Sequence, residues 1–309
     1  MYNPFFCKTY RHKKYYNFIR MKISGFTFIK NAVINGYPIV EAITSILPIV
    51  DEMIVLVGDC DDDTLGLIES IGDSKIKIHH SVWDKNLRKG GAVLAVETDK
   101  AFNLIDPEST WAFYIQADEV IHEKYYDTIK KGCELYKDNK KVQGLLFKYI
   151  HFYGTYDYVG DSRKWYGHEV RIIRNDKKIV SYKDAQGFRV GHKRLNVKPL
   201  NAYVYHYGWV KDPEQMMKKN KNMGLLWRTD EEAQEFLKQP DYFDFNEFDS
   251  LAIFKDTHPS VMKNRIAQKN WNLKLDITKK KLKLKHRLTY TFEKITGIRL
   301  FEFKNYKII

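Results

Sequence analysis

The first 120 residues alternate between short β-branched or aromatic runs and apolar stretches of helical period, and few folds accept that alternation. Ile23-Ser24-Gly25-Phe26-Thr27-Phe28-Ile29 reads as a buried first strand that ends at Lys30-Asn31. Pro38 then opens a 3.6-periodic stretch through Ile39, Ala42, Ile43, Ile46 and Leu47, as proline does in the first turn of a helix. Residues 53–57 read as a second strand, 65–71 as a second helix, 76–78 as a third strand and 92–105 as a third helix. A fourth strand follows in Trp111-Ala112-Phe113-Tyr114-Ile115. A β-α-β-α-β-α-β series of this length predicts an α/β fold, a mostly parallel sheet with helices on both faces.

The fourth strand runs abruptly into Gln116-Ala117-Asp118-Glu119. Nothing about a buried strand needs carboxylates at its C-terminal edge, and in open α/β sheets that edge borders the ligand crevice. A hard divalent ion accompanied by phosphate oxygens needs only one or two carboxylates, so Asp118 would suffice if a diphosphate supplied the remainder. Capping of a following helix by Asp118 or Glu119 is the plainer alternative. Beyond this point residues 144–150, 170–174 and 202–206 are strand-like, and 151–166 read as a loop rich in Gly, Tyr and Asp. Residues 213–237 turn helical, while the basic stretch 279–285 suits strand or helix.

Charge is distributed unevenly. Residues 1–20 carry five Lys/Arg and no acid, and residues 271–309 carry eleven Lys/Arg against three acids, which together make up the whole net charge of +13. The body between them is neutral, so the basic excess does not describe a nucleic-acid groove, and no zinc-finger, RNP-type or GXXG motif is present. Basic tails of this kind predict peripheral contact with an anionic membrane surface, or pairing with an acidic partner. No apolar run is long enough for a membrane span, and the N-terminus lacks a secretory h-region, so a cytoplasmic protein is expected. Cys7, Cys60 and Cys133 are scattered without CxxC spacing, as free thiols would be.

The second strand ends in Gly58-Asp59-Cys60-Asp61-Asp62-Asp63-Thr64, four acids in five positions. Helix capping explains some of them; a carboxylate at this strand end is also placed to meet the base or ribose of a nucleotide. Neither a P-loop GxxxxGK[ST] nor a Rossmann GxGxxG occurs.

The first strand ending in Asn31, the turn ending Asp62-Asp63-Thr64 and the motif Gln116-Ala117-Asp118 together resemble the family 2 glycosyltransferases of GT-A fold over residues 22–210. The resemblance implies that Asn31, Asp62, Thr64, Gln116 and Asp118 contact a nucleotide-sugar donor, UDP-linked by expectation. Two positions depart from the family pattern: Asp63 stands where a glycine is usual, and Gln116 where the metal motif has its first acid. Asp118 keeps the metal-binding position. A histidine among aromatics ordinarily reads as packing, but the resemblance implies that His206, in Tyr203-Val204-Tyr205-His206-Tyr207-Gly208-Trp209, joins Asp118 on one divalent cation, Mn or Mg.

Transfer with inversion needs a base for the acceptor hydroxyl. Asp157, Asp161, Glu169 and Asp184 lie in the interval before His206; Asp184 is favoured, since related enzymes place an acid after an Arg-containing strand, and Glu169 is held in reserve. Arg171 and Arg174 point to opposite faces of their strand, so one at most meets a diphosphate; a salt bridge is the alternative. The loop Asn86-Leu87-Arg88-Lys89-Gly90-Gly91 precedes a helix, and Arg88 with the backbone amides is a candidate for the nucleotide. The aromatic segment 149–166, with Trp165, is suited to stacking on sugar rings or to serving as a core lid.

The expected organisation is a basic aromatic leader at 1–20, a GT-A domain at 21–210 and a helical, basic C-terminal extension at 211–309. The expected activity is sugar transfer to a glycan, lipid-linked or protein hydroxyl in surface glycan or polysaccharide biosynthesis. A sugar-phosphate nucleotidyltransferase is the alternative enzyme, although Phe28-Ile29-Lys30-Asn31-Ala32 lacks that class's glycine-rich first loop. A basic nucleic-acid-binding or scaffold protein is the non-enzyme alternative.

Overall fold

The computed structural model describes residues 21–309 apart from positions 85, 88, 229, 239 and 283. Strand β1 (Ile23–Ile29) is followed by α1 (Ile39–Ile46), β2 (Glu52–Val57), α2 (Thr64–Glu69), β3 (Ile76–His80), α3 (Ala92–Asn103) and β4 (Trp111–Tyr114). These four strands pair in parallel in the order β3-β2-β1-β4, the crossover arrangement that the alternating pattern predicts. Helix α1 shows why the pattern was legible: Ile39, Ala42, Ile43 and Ile46 recur at helical spacing and all lie in the core. β1, β2 and β4 are almost wholly buried, as strands covered on both faces must be.

Beyond β4 the sheet becomes mixed. β5 (Glu119–Ile121), α4 (Tyr126–Tyr136), β6 (Gly144–Gly160), β7 (His168–Arg174), β8 (Ile179–Tyr182), β9 (Gly187–Val190) and β10 (Lys193–Val210) follow. β7 runs antiparallel to both β4 and β6, while β10 runs parallel to β6. Residues 151–160, expected in a loop, continue β6 instead. That extension is stabilised by β10 along residues 151–154 and by β11 (Leu251–Ile253) along residues 158–160, neither of which can be inferred locally. No helix follows Asp118; Glu119 opens β5, which pairs antiparallel with β10.

The C-terminal segment contributes α5 (Pro213–Gly224), α6 (Asp230–Leu237), α7 (Lys263–Ala267), α8 (Leu284–Thr296) and β12 (Tyr306–Ile308). It returns to the sheet twice, through β11 on β6 and β12 on β10. Of the basic stretch 279–285, the last two residues open α8. The thiols of Cys60 and Cys133 are free.

Candidate active site

A cleft of about 490 Å³ opens at the carboxyl ends of β1 and β4. Phe28–Asn31 and Tyr114–Asp118 form its floor, α3 contributes Val93 and Leu94, and the end of α5 with the turn after it closes the far side through Asn222, Met223, Leu225 and Leu226. Asn31 takes a left-handed backbone with φ of 55°, a conformation that asparagine tolerates, and so turns the chain away from β1. Its side chain donates to Asp61 at 2.9 Å and accepts the Asp61 amide at 2.7 Å. Asp62 and Thr64 stand behind this turn. Asp62 accepts the Ile34 amide at 2.7 Å and bonds the Thr64 hydroxyl, which itself accepts the Ala32 amide at 2.7 Å. Both side chains therefore brace the loop carrying Asn31 and do not line the cleft. Asp63 caps α2 through the Gly66 amide at 3.2 Å.

Trp83 packs against Phe28 in the cleft wall, with Lys30 above its ring, and its indole N–H is buried without a partner. An aromatic wall suits a heterocyclic base.

Asp118 and His206 meet because β5 and β10 pair in a defined register. His206 stands opposite Glu119, and the Tyr207 amide donates to the Asp118 carbonyl at 2.8 Å. His206 Nε2 then faces Asp118 Oδ1 across 3.7 Å, both side chains largely buried. The tautomer follows from the neighbours. His151 Nε2 lies 2.8 Å from the Tyr166 carbonyl, so it must donate, which leaves His151 Nδ1 as an acceptor. His206 Nδ1, 3.3 Å from that nitrogen, must therefore carry a proton, and Nε2 presents its lone pair to a carboxylate. Two acceptors facing each other at this distance form a seat for a cation, and a neutral imidazole with its other nitrogen held by an acceptor is how histidine binds metal. Among the described residues no three His, Cys, Asp or Glu side chains converge, so a cation here needs further oxygens from its ligand.

Lys219 occupies the other side of Asp118, with Nζ 3.3 Å from Oδ2 and 2.8 Å from the Gly208 carbonyl. Burial alone would raise the Asp118 carboxyl, but Lys219, in contact with it, holds it down. Burial pushes His206 down, with Asp118 opposing, and brings His151 to about 3. The pair is thus a carboxylate and a neutral imidazole at physiological pH. Lys219, Lys211 and His151 carried no sequence motif. They stand on β6 (His151), just after β10 (Lys211) and on α5 (Lys219), and only the fold brings them to Asp118.

Gln116 lines the cleft, and its carbonyl oxygen lies 3.4 Å from Arg171. Arg171 is directed to Glu119 and forms the salt bridge considered above, not a free diphosphate contact. Arg174 turns to backbone carbonyls of Tyr136, Lys137, Asn139 and Val142. Asp184 sits beside Gly91 and Trp227 at the entrance to α3, since a Cβ on Gly91 would fall 2.9 Å from the Asp184 Cβ. Gly91 needs its left-handed φ of 70° to start that helix. Glu169 lies elsewhere, in a second cavity, where burial raises its carboxyl to about 8. Asp157 bonds Thr155, and Asp161 is held by Ser250, Tyr290 and Lys280. Arg88 lies outside the described residues.

No protein-family model matches the chain, and no curated protein does. Among solved structures, S. aureus TarS 1-349 aligns at 15% identity and TM-score 0.37, over 70% of this chain and 69% of that one. Glucosyl-3-phosphoglycerate synthase from Mycobacterium tuberculosis, in complex with Mn2+, UDP and phosphoglyceric acid, aligns at 19% identity and TM-score 0.29, over 43% of this chain and 44% of that one. The 4-diphosphocytidyl-2C-methyl-D-erythritol synthase of Anaerococcus prevotii aligns at 12% and TM-score 0.39, over 71% and 97%. The chain spans 42% of the length of a longer TarS chain.

Proposed function

We propose that the protein is a glycosyltransferase that moves a sugar from a nucleoside diphosphate donor, UDP-linked, to a hydroxyl acceptor with inversion, in surface glycan or polysaccharide assembly. The observation that carries this reading is the Asp118–His206 pair, a carboxylate and an imidazole lone pair 3.7 Å apart, beside a cleft with an aromatic wall. The cleft takes the nucleoside, with Trp83 against the base and Asn31 and Gln116 on its polar side. Asp118 and His206 hold a divalent cation, Mn or Mg, which when bound offsets the charge of the departing diphosphate. Lys219 adds positive charge on the same side.

Asp184 takes the acceptor proton as the hydroxyl oxygen attacks the anomeric carbon and the bond to the diphosphate oxygen breaks. It is suited to this role because it has no hydrogen bond or ion pair among the described residues. Glu169, protonated at neutral pH, is better suited to donating a hydrogen bond than to accepting a proton.

Thermal shift with UDP-, GDP- and dTDP-linked sugars, with and without Mn2+, tests the class. One of these donors should stabilise the chain in a Mn2+-dependent way, Asp118→Asn should abolish that response, and Asp184→Asn should spare it while removing transfer. No nucleotide response at all would overturn the reading.

The basic C-terminal extension is also proposed to rest on an anionic membrane surface. α8 exposes Leu288, Phe292 and Ile295 at helical spacing, with Arg287 and Lys294 exposed beside them. No helix of the described residues is long and apolar enough to cross a membrane.

A further inference from the structure

A second cavity, of about 640 Å³, lies between the start of β7 and residues 299–305. Ligand pockets typically hold roughly 300–1,000 Å³. Trp165, Tyr166, Phe301 and Phe303 contribute aromatic surface to its wall, and Glu169 and Asn305 contribute polar groups. Glu169 and Asn305 are each 5% exposed, yet Glu169 Oε2 and both side-chain polar atoms of Asn305 lack any hydrogen-bond partner. His168 Nδ1, on the same wall, is orphaned too. Glu169 and Asn305 lie together over Gly187, where a Cβ would fall 2.2 Å from Asn305 Nδ2 and 3.6 Å from Glu169 Oε2. Buried polar atoms are ordinarily paired, and leaving one unpaired is destabilising. These orphaned groups belong to residues that line one cavity.

The charges around the cavity select the ligand's class. Arg163 pairs with Glu293 at 3.2 Å, and Arg299 pairs with Glu293 at 3.1 Å and with Glu302 at 2.9 Å. No unmatched guanidinium therefore waits for an anion. Burial keeps the Glu169 carboxyl protonated at neutral pH, so it can donate as well as accept. Neighbouring donors and acceptors beside aromatic faces match a ring that carries hydroxyl groups on its edge and C–H groups on its face.

We infer that this cavity binds a neutral pyranose ring of the acceptor saccharide, through hydroxyl contacts to Glu169 and Asn305 and stacking on Trp165 and Tyr166. The acceptor role rests on the transferase reading above. It is supported by position: the Tyr166 carbonyl accepts from His151, and His151 meets His206, so one imidazole separates the cavity wall from the candidate cation site.

Saturation-transfer NMR on the full chain with free glucose, galactose, N-acetylglucosamine and rhamnose tests this, with glucose 1-phosphate as the anionic comparison. At least one neutral sugar should bind, and more tightly than the phosphate. Asn305→Ala should weaken that binding about tenfold, the usual consequence of losing one well-made polar contact. The same variant should not lower the thermal midpoint, because its side chain makes no internal hydrogen bond, and it should retain the nucleotide-sugar response. Absence of binding by all four sugars, preference for the phosphate, or unchanged binding by Asn305→Ala would overturn the inference and leave the donor cleft untouched. Sugar binding without any nucleotide response would keep the saccharide site and overturn its acceptor role.

Discussion

Glu119 and Arg171 close a bidentate ion pair, with Nε and Nη2 each 2.8 Å from a different carboxylate oxygen, on side chains that are 0% and 2% exposed. The pair lies one residue from Asp118, and Tyr149 donates to the same carboxylate at 2.7 Å. It anchors the start of β5, and β5 is what sets Asp118 opposite the His206 segment. An ion pair at this depth gains less than its geometry suggests, but breaking it by removing one partner leaves an uncompensated charge.

Arg171→Met should therefore destabilise the fold by about 3–5 kcal/mol in urea unfolding. Adding Glu119→Gln to that background should recover part of the loss, since the remaining group is then neutral. A single variant that unfolds like the wild type would show that the pair does not anchor the site.

Gly208 is a residue whose importance no motif announces. A Cβ there would lie 2.6 Å from Asp118 Oδ2 and 2.8 Å from His206 Cε1. Gly208→Ala should push the two candidate ligands apart and lower kcat/KM by about 100-fold, the scale of a misplacement near 1 Å. Donor-dependent stabilisation by Mn2+ should fall in parallel, which thermal shift reads without turnover.

Glu169 predicts a pH dependence with a definite sign. Its carboxyl rises from 4.5 to about 8 on folding, because burial disfavours the charged form. The native state then holds a proton that the unfolded chain has released, so this contribution is fully present below pH 4.5 and is lost as pH rises toward about 8. Glu169→Gln cannot ionise and should flatten that decline in urea midpoints, becoming more stable than the wild type above pH 8. Parallel curves for the two proteins would refute the assignment.

The membrane contact is checked by vesicle sedimentation. Binding should require phosphatidylglycerol in phosphatidylcholine vesicles and weaken with salt, as interactions screened over about 8–10 Å do. Ile295 is 79% exposed, so Ile295→Asp should reduce binding without affecting stability. Equal binding to neutral vesicles would exclude the electrostatic part of this proposal.

Much of the scaffold was legible from residue order. α1 declares itself by periodic burial and β1, β2 and β4 by short continuous apolar runs, both of them local properties. Asp118 stood out as an acid placed just after an apolar strand, whereas His206, which lies inside β10, was nominated only by the family resemblance. The second half of the sheet was harder to read. β6 continues through residues 151–160 only because β10 and β11 supply hydrogen-bond partners, and a pairing with a distant strand leaves no local signature.

The sequence alone determined the alternating strands and helices of the first half of the chain, since side-chain periodicity and backbone preference act over a few residues. It also nominated a carboxylate just beyond an apolar strand. Only the tertiary structure decided that β5 and β10 share a register, that the His151 hydrogen bond sets the His206 tautomer, that Arg171 turns to Glu119, and that Glu169 and Asn305 are buried unpaired. These depend on contacts between residues far apart in the chain, and the energies of hydrogen bonding and desolvation are defined only once those residues share a common environment.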